Sequence, residues 1–384
     1  MKKYLISGIG PGSSGVGRLM YKLIEEANKH NYKILYKFAN KSVRLLINEK
    51  KYFELLKELI FRSISSIYFN IKVLSIRNAE IILLHPQNLG IKNVKKLILF
   101  NKIIKWYIMD NSFFCMKSYN YLNGECIQCL NNIDDYDELC TPFPHPYNVE
   151  EYNEFLHFIK NNINKIKIYA QSESHQSLIT FFYGDTINST VVGLDTGEFN
   201  IDIIRENKNK IPEHKSIVFH GHLIDAKGFA FAYKLALKLP QYKFIFPAKQ
   251  PKNISNVPDH IHFLDISWNK GLKKFVEEAT LVLCLSMWST PIEGALIKSI
   301  YYNGRVAVMN NQFGFNTEIA DDLILKLSYD CKEAALQIDT YIKENIDSSN
   351  DLKKWLCEIF SNYNISKMFT DENKESIWEN YFDF

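Results

Sequence analysis

Apolar positions cluster along the chain in short unbroken runs, with longer amphipathic stretches between them. The runs Tyr4–Ser7, Tyr32–Tyr36, Ile81–Leu84, Lys102–Met109, Lys165–Tyr169 and Val191–Val192 have the length and composition of buried parallel strands. Helical patterns stand between them at Arg18–His30, Lys41–Phe69, Glu150–Asn161 and from Ser174 onward. A polar stretch at 197–214 interrupts this rhythm and reads as a linker. A second array then begins, with strands Ser216–His220, Tyr242–Pro247, Ile261–Leu264, Leu281–Leu285 and Arg305–Met309 around helices Phe229–Leu239 and Asn269–Glu278. Past Met309 the alternation weakens into helices at 332–346 and 351–361 and an aromatic tail. Strand–helix alternation repeated twice predicts an α/β chain of two Rossmann-like, doubly wound domains facing a cleft. The expected division is 1–196 and 215–364, with a C-terminal helix at 365–384 joining the first domain.

Length agrees with two cores, since 384 residues exceed what one usually serves. A net charge of +3 gives no bulk case for nucleic-acid binding. No apolar run approaches a bilayer-spanning length, and MKKYLISGIGPG reads as a first strand rather than an export signal. Seven cysteines in such a chain suggest reduced thiols, metal ligands or core residues, with the cytoplasm as the expected compartment.

Candidate chemistry gathers where strands end. The segment Cys284–Met309 runs from a buried strand through a polar turn, Ser286–Thr290, into a helix opened by Pro291 and stopped by Asn303 and Gly304. Glu293 is expected in the first turn of that helix, at the carboxyl edge of a parallel sheet, where open α/β sheets bind ligands. The amides of the helix start suit an anion. After the first strand, GIGPGSSGVGRL (Gly8–Leu19) is either a phosphate cradle or a tight strand-to-helix turn. His85 and Asp110 follow strand ends and point into the same crevice, although His85 reads equally as a structural imidazole. The basic, aromatic segment 41–62 reads as a solvated face or as a patch resting on anionic lipid.

An insertion at 111–146 carries Cys115, Cys126, Cys129 and Cys140 in the pattern C-x10-C-x2-C-x10-C. Four thiolates at this spacing suit a closed tetrahedral zinc site that orders a loop with little core of its own. Free cysteines or disulfides are the plain alternative, an iron–sulfur cluster fits the ligand count, and His145 is a reserve ligand.

Four segments carry a family resemblance. These are GSSGVGR (Gly12–Arg18), YAQSESHQSLITFFYGDTINSTVVGLDTGEF (Tyr169–Phe199), GHLIDAKG (Gly221–Gly228) and WSTPIEGALIKSIYYNGRVAV (Trp288–Val308). In this order and spacing they resemble glycosyltransferase family 4 ("group 1") enzymes of the GT-B fold. The pattern FC…GxCxxC…CxPxP looks like a subgroup from bacterial O-antigen and surface-polysaccharide clusters. The resemblance implies retaining transfer from a UDP- or GDP-sugar to a lipid-linked saccharide in O-antigen or capsule assembly, with no catalytic metal. It implies that Lys227 binds the diphosphate and that His222 stands where arginine is usual. Gly15, Val16 and Gly17 would bring amides from the opposite side, with Gly294 and Ala295 at the helix start. Glu293 would lie near the sugar hydroxyls. The family's second, ribose-binding glutamate falls at Ser299, beside Lys298. Met109 replaces a family histidine before the retained Asp110. The acceptor would enter near His85, Asp110 and segment 41–62, at the inner face of the plasma membrane. A nucleotide-sugar epimerase or hydrolase of the same fold, or a non-catalytic partner lacking the second glutamate, are the alternatives.

Overall fold

The computed structural model describes residues 1–12, 15–37, 46–47, 49–143, 147–194 and 215–370. The first domain holds a six-stranded parallel sheet of β1 (Lys2–Ser7), β2 (Lys33–Tyr36), β3 (Ala79–Leu84), β4 (Ile103–Tyr107), β5 (Ile166–Ala170) and β6 (Ser189–Val191). The second holds β7 (Ser216–Phe219), β8 (Lys243–Phe246), β9 (Ile261–Phe263), β10 (Leu281–Cys284), β11 (Val306–Met309) and β12 (Leu325–Leu327), again all parallel.

Strand order decides where ligands sit. The sheets run β2-β1-β3-β4-β5-β6 and β12-β11-β10-β7-β8-β9. Order reverses between β1 and β3 in the first sheet and between β7 and β10 in the second. At such switch points the loops leave in opposite directions and open a crevice beyond the carboxyl ends of the strands.

Every residue of β3 is buried, which is why the run is apolar throughout rather than alternating. Ile81, Leu83, Trp106 and Ile168 pack on one side of the first sheet against helices Ile91–Phe100 and Val149–Asn161. Leu5, Ile82, Leu84 and Tyr107 pack on the other against helix Gly15–Lys29 and against Ile365, Met368 and Phe369. Lys105 and Glu80 are two of the charged side chains buried in this domain. Lys105 Nζ is 2.6 Å from Glu80 Oε1 and donates to the Met368 carbonyl at 3.1 Å, while the Tyr32 hydroxyl donates to Glu80. Buried ions are tolerated when paired in this way, and here the pair fastens the end of the described chain to the first domain. In the second domain, Phe219, Phe244, Phe246 and Leu283 meet helices Phe229–Lys238 and Cys331–Lys343. Val218, Val282, Val306 and Ile300 form the opposite core.

Some elements differ from the sequence reading. The helix expected at Lys41–Phe69 is described from Tyr52 to Leu74, while 41–45 and 48 lie outside the described residues, as do the linker 197–214, His145 and 371–384. Helix Ile91–Phe100 and strand β12 were not expected; β12 is three residues long with a lysine at its centre, too short for a period to register.

The zinc site expected in the insertion finds no support among the described residues. Among the described residues no group of three or more His, Cys, Asp or Glu side chains is placed to hold a metal. Cys115, Cys129 and Cys140 are buried in the apolar core of the first domain. That burial, with the neighbouring thiols adding to it, pushes the Cys115 thiol up and the Cys129 thiol to about 12. The loop is ordered by this packing and by hydrogen bonds to the second domain.

Candidate functional site

The carboxyl edges of the two sheets line a shared cavity of about 720 Å³. β10 delivers Ser286 to the cavity side of the second domain, and the chain then turns through Trp288–Pro291 to Glu293. Glu293 is the N-cap of helix Gly294–Tyr302 rather than a residue of its first turn, with extended φ and ψ of −104° and 121°. Its carboxylate makes no capping bond to the helix. Instead Oε1 accepts from Lys227 Nζ at 2.8 Å and Oε2 accepts from the Ser286 hydroxyl at 2.6 Å. Lys227 also donates to Ser286 Oγ at 3.3 Å and lies 5.0 Å from the centre of the Trp288 ring. Burial pushes the Glu293 carboxyl up, but the charge and hydrogen bond of Lys227, with help from Ser286 and His220, more than offset it and leave it below the ordinary glutamate range.

Gly228 explains why Lys227 arrives where it does. It has φ of +77°, and a Cβ there would lie 2.1 Å from the Leu285 carbonyl oxygen. Only glycine lets the 221–228 loop close onto the end of β10. Across the cavity, a Cβ on Gly17 would lie 2.7 Å from the Gly12 amide nitrogen, and Gly12 N donates to the Gly17 carbonyl at 3.1 Å. The glycine loop is thus folded against the first turn of helix Gly15–Lys29, and Gly15, Val16 and Arg18 face the cavity.

His85 ends β3 in the left-handed region, φ 49° and ψ 62°, which is unusual for a residue with a side chain. Burial lowers its pKa, with Asp110 opposing. Asp110 accepts from Gln87 Nε2 at 3.2 Å and from the Ser112 amide at 3.0 Å. His85 Nδ1, Gln171 Oε1 and Trp288 Nε1 are buried atoms of cavity-lining residues with no hydrogen-bond partner. Buried polar atoms are rarely left so, and all three belong to residues that line this cavity.

Beneath the site, His220 follows β7 at the switch point. Its Nδ1 meets Ser299 Oγ at 2.8 Å and its ring stacks on Trp268 at 5.3 Å. Burial lowers its pKa to about 4, so it is neutral near pH 7.

The insertion spans the two domains. Asn111 Nδ2 donates to the Ser289 carbonyl at 2.7 Å, and Asn120 Nδ2 donates to Ser289 Oγ at 2.7 Å. Glu125 accepts from the Ser289 hydroxyl and from the backbone amides of Gln312 and Phe313. Tyr119 packs on Trp288 at 4.6 Å.

No protein-family model matches the chain, and no curated protein sequence does. Solved structures do match. Sucrose-phosphate synthase from Thermosynechococcus elongatus superposes with a TM-score of 0.62 and 11% identity, covering 96% of each chain. HepE from Anabaena in complex with UDP superposes with a TM-score of 0.57 and 11% identity, over 96% of this chain and 97% of that one. Its complex with UDP-glucose gives 0.58 and 10%, with the same coverage. The fold is GT-B. The likeness is one of fold, with the two sheets and the cleft between them in common.

Within the GT-B cleft, Gly15, Val16, His85, Asp110, His222, Lys227, Glu293, Gly294, Ala295 and Lys298 all line the cavity. Gly17 and Ser299 do not. Gly17 is packed on Gly12, and Ser299 is fully buried, donating to the Ala295 carbonyl at 2.8 Å and bonded to His220. The four cysteines lie in the insertion and not at the cavity. His220, Trp268, Trp288, Tyr119 and Gln171 were missed. His220 obeys the same strand-end rule that singled out His85 and was open to detection; the others carry no local signal.

Proposed function

We propose that the protein is a retaining glycosyltransferase that moves a sugar from a nucleotide-sugar donor to a saccharide acceptor. The observation that carries this reading is the cluster Lys227–Glu293–Ser286 at the second domain's switch point, opposite the glycine loop of the first. A nucleoside diphosphate departs with its negative charge, and a rate gain requires fixed positive charge and amides where that charge develops. Lys227 supplies the cation, and the amides at the start of helix Gly294–Tyr302 and at Gly15 and Val16 supply dipoles from two sides. Glu293 serves the donor sugar's hydroxyls. His85, its Nδ1 without a partner, and Asp110, oriented by Gln87, stand on the acceptor side. HepE, similar in fold, is described with UDP and UDP-glucose, which supports a nucleotide-sugar donor here, read from the motifs as a UDP- or GDP-sugar. From the resemblance of the motifs we take retention, the family 4 assignment and a lipid-linked acceptor of the O-antigen or capsule type, handled from the inner face of the plasma membrane.

The burial of Ser299 favours a second reading. The position where the family places its ribose-binding carboxylate is turned into the core, and Lys298 reaches the cavity instead. A non-catalytic partner that binds nucleotide without turnover accounts for that loss. The test is incubation of purified protein with labelled nucleotide-sugars and a lipid-linked saccharide. Transfer that disappears in Glu293→Ala and Lys227→Ala supports the enzyme. Nucleotide binding without transfer supports the partner, and free sugar without acceptor supports a hydrolase or epimerase.

A further inference from the structure

Helix Tyr52–Leu74 links β2 to β3 and runs for 23 residues, about 34 Å at 1.5 Å per residue, against strands of six residues or fewer. Among its residues only Glu58, Phe69 and Val73 are buried. At 100° per residue these three fall on one side, with half-buried Leu55 and Arg62 beside them. The opposite side carries Phe53, Leu56, Ile60, Ile64, Ile67 and Ile71, all more than half exposed, with spacings of three and four residues. Tyr52 and Tyr68 flank the stripe and are equally exposed. A continuous apolar stripe over five turns far exceeds the scattered exposed side chains of an ordinary surface. No helix among the described residues is long and apolar enough to cross a membrane, so the stripe is not a span.

We infer that this face lies on an anionic lipid surface, in the plane of the headgroups. The cations decide between lipid and a second copy of the chain. From 46 to 77 there are six lysines and arginines against three glutamates. Lys57 Nζ sits 4.3 Å over the Phe53 ring and Lys72 Nζ 5.4 Å over the Tyr68 ring, holding two charges at the edge of the stripe. Arg77 stacks at 4.2 Å on the exposed Phe100 ring of the next helix. An apolar stripe edged by lysine and tyrosine matches the acyl–headgroup boundary, where rings sit between oil and water and cations meet lipid phosphates. Two such faces brought together would confront like charges instead. Between parallel strands a crossover helix runs back against them, so its start, at Tyr52 and Phe53, lies on the carboxyl edge that carries the cleft. Docking thereby brings a membrane to the side of the first domain where a lipid-carried substrate would enter. This deepens the proposed function and rests on it for why a membrane is visited.

Flotation with vesicles of phosphatidylcholine containing about one-third phosphatidylglycerol tests the assignment. The full chain is expected to float with these vesicles and about tenfold less with phosphatidylcholine alone. Leu56→Glu/Ile60→Glu/Ile64→Glu is expected to stay in solution with an unchanged melting midpoint, because those side chains make no core. Lys57→Glu/Lys72→Glu is expected to lose the preference for anionic vesicles. A wild-type chain that fails to float, or that is a dimer which the triple substitution converts to monomer without any vesicle effect, overturns the assignment. Nucleotide binding in solution separates the two proposals. Flotation without nucleotide binding leaves the docking face standing and removes the transferase, while nucleotide binding without flotation does the reverse.

Discussion

Lys227 Nζ and Glu293 Oε1 are 2.8 Å apart across the crevice of the second domain, joining a loop after β7 to the helix after β10. Both side chains are largely withdrawn from solvent. In this state the carboxylate holds the ammonium in place for an anion that will compete for it. On the proposed function, a diphosphate entering the cleft would compete with the carboxylate for that ammonium.

Removing the cation measures its share of donor binding. Lys227→Ala is expected to weaken nucleoside diphosphate binding by about tenfold to a hundredfold, since a charge-assisted hydrogen bond contributes about 1.5–3 kcal/mol. Calorimetric titration of wild type and variant gives the ratio directly. Equal affinities would remove Lys227 from the site.

Ser299 and Lys298 are separated by a like comparison. Lys298 lines the cavity, and Ser299 is buried under His220. Lys298 is buried, its Nζ 4.9 Å from the centre of the Trp268 ring, and Lys298→Ala is expected to lower nucleotide affinity. Ser299→Ala is expected to lower the midpoint, because His220 Nδ1 loses its partner, and to leave affinity within about twofold. The opposite pattern would place ribose recognition at Ser299.

Acid should destabilise the fold in two windows. Burial holds His220 near a pKa of about 4 in the fold, against 6.5 as the ordinary value. The folded pKa is depressed, so unfolded chains take up the proton first as pH falls. Stability is therefore full above about 6.5 and is lost down to about 4. Glu293 is also held below its ordinary value, by Lys227 against the opposing effect of burial, and its contribution is lost at lower pH still. Melting midpoints between pH 7 and 3 should show His220→Asn flattening the upper window and Glu293→Gln the lower. Parallel curves for wild type and both variants would contradict these assignments.

Glu125 links the domains through three donors on the second domain. Glu125→Ala leaves the Ser289 hydroxyl and the amides of Gln312 and Phe313 without their acceptor, at a cost of about 1–3 kcal/mol for a group left unsatisfied. The expected result is a midpoint lower by several degrees and a larger radius of gyration in solution scattering, as the cleft opens. An unchanged radius would mean that the remaining contacts at Asn111, Asn120 and Tyr119 suffice.

The architecture was legible because buried parallel strands write continuous apolar runs, as at Ile81–Leu84, and because glycine and proline punctuate the turns. His85 and Asp110 were legible for the same reason, since a polar residue directly after such a run faces the crevice, and Glu293 was legible from the helix that Pro291 announces after the run Leu281–Leu285. Glu293 moved by one turn position, from helix to cap, because Pro291 opens a bend that precedes the helix. The cysteine pattern predicted a metal site that the described residues do not support: Cys115, Cys129 and Cys140 are buried in the first domain's core, and spacing alone does not decide between a metal and packing. The work of the insertion was illegible. Asn120 and Glu125 find their partners more than 160 residues away, and no local pattern records that pairing. The exposed stripe of helix Tyr52–Leu74 was legible only in part: its basic and aromatic character allowed a patch on anionic lipid, but an apolar face has the same period whether it meets a core or a membrane.

The central claim is that a nucleotide-sugar binds between the 221–228 loop and the start of helix Gly294–Tyr302. The most direct measurement is a thermal-shift titration with UDP-, GDP-, dTDP- and CDP-sugars on wild type and Lys227→Ala, because a ligand bound only by the fold raises its midpoint. The account predicts a concentration-dependent rise for at least one donor in wild type and a much smaller rise in the variant. No rise with any donor, or an equal rise in both proteins, would contradict it.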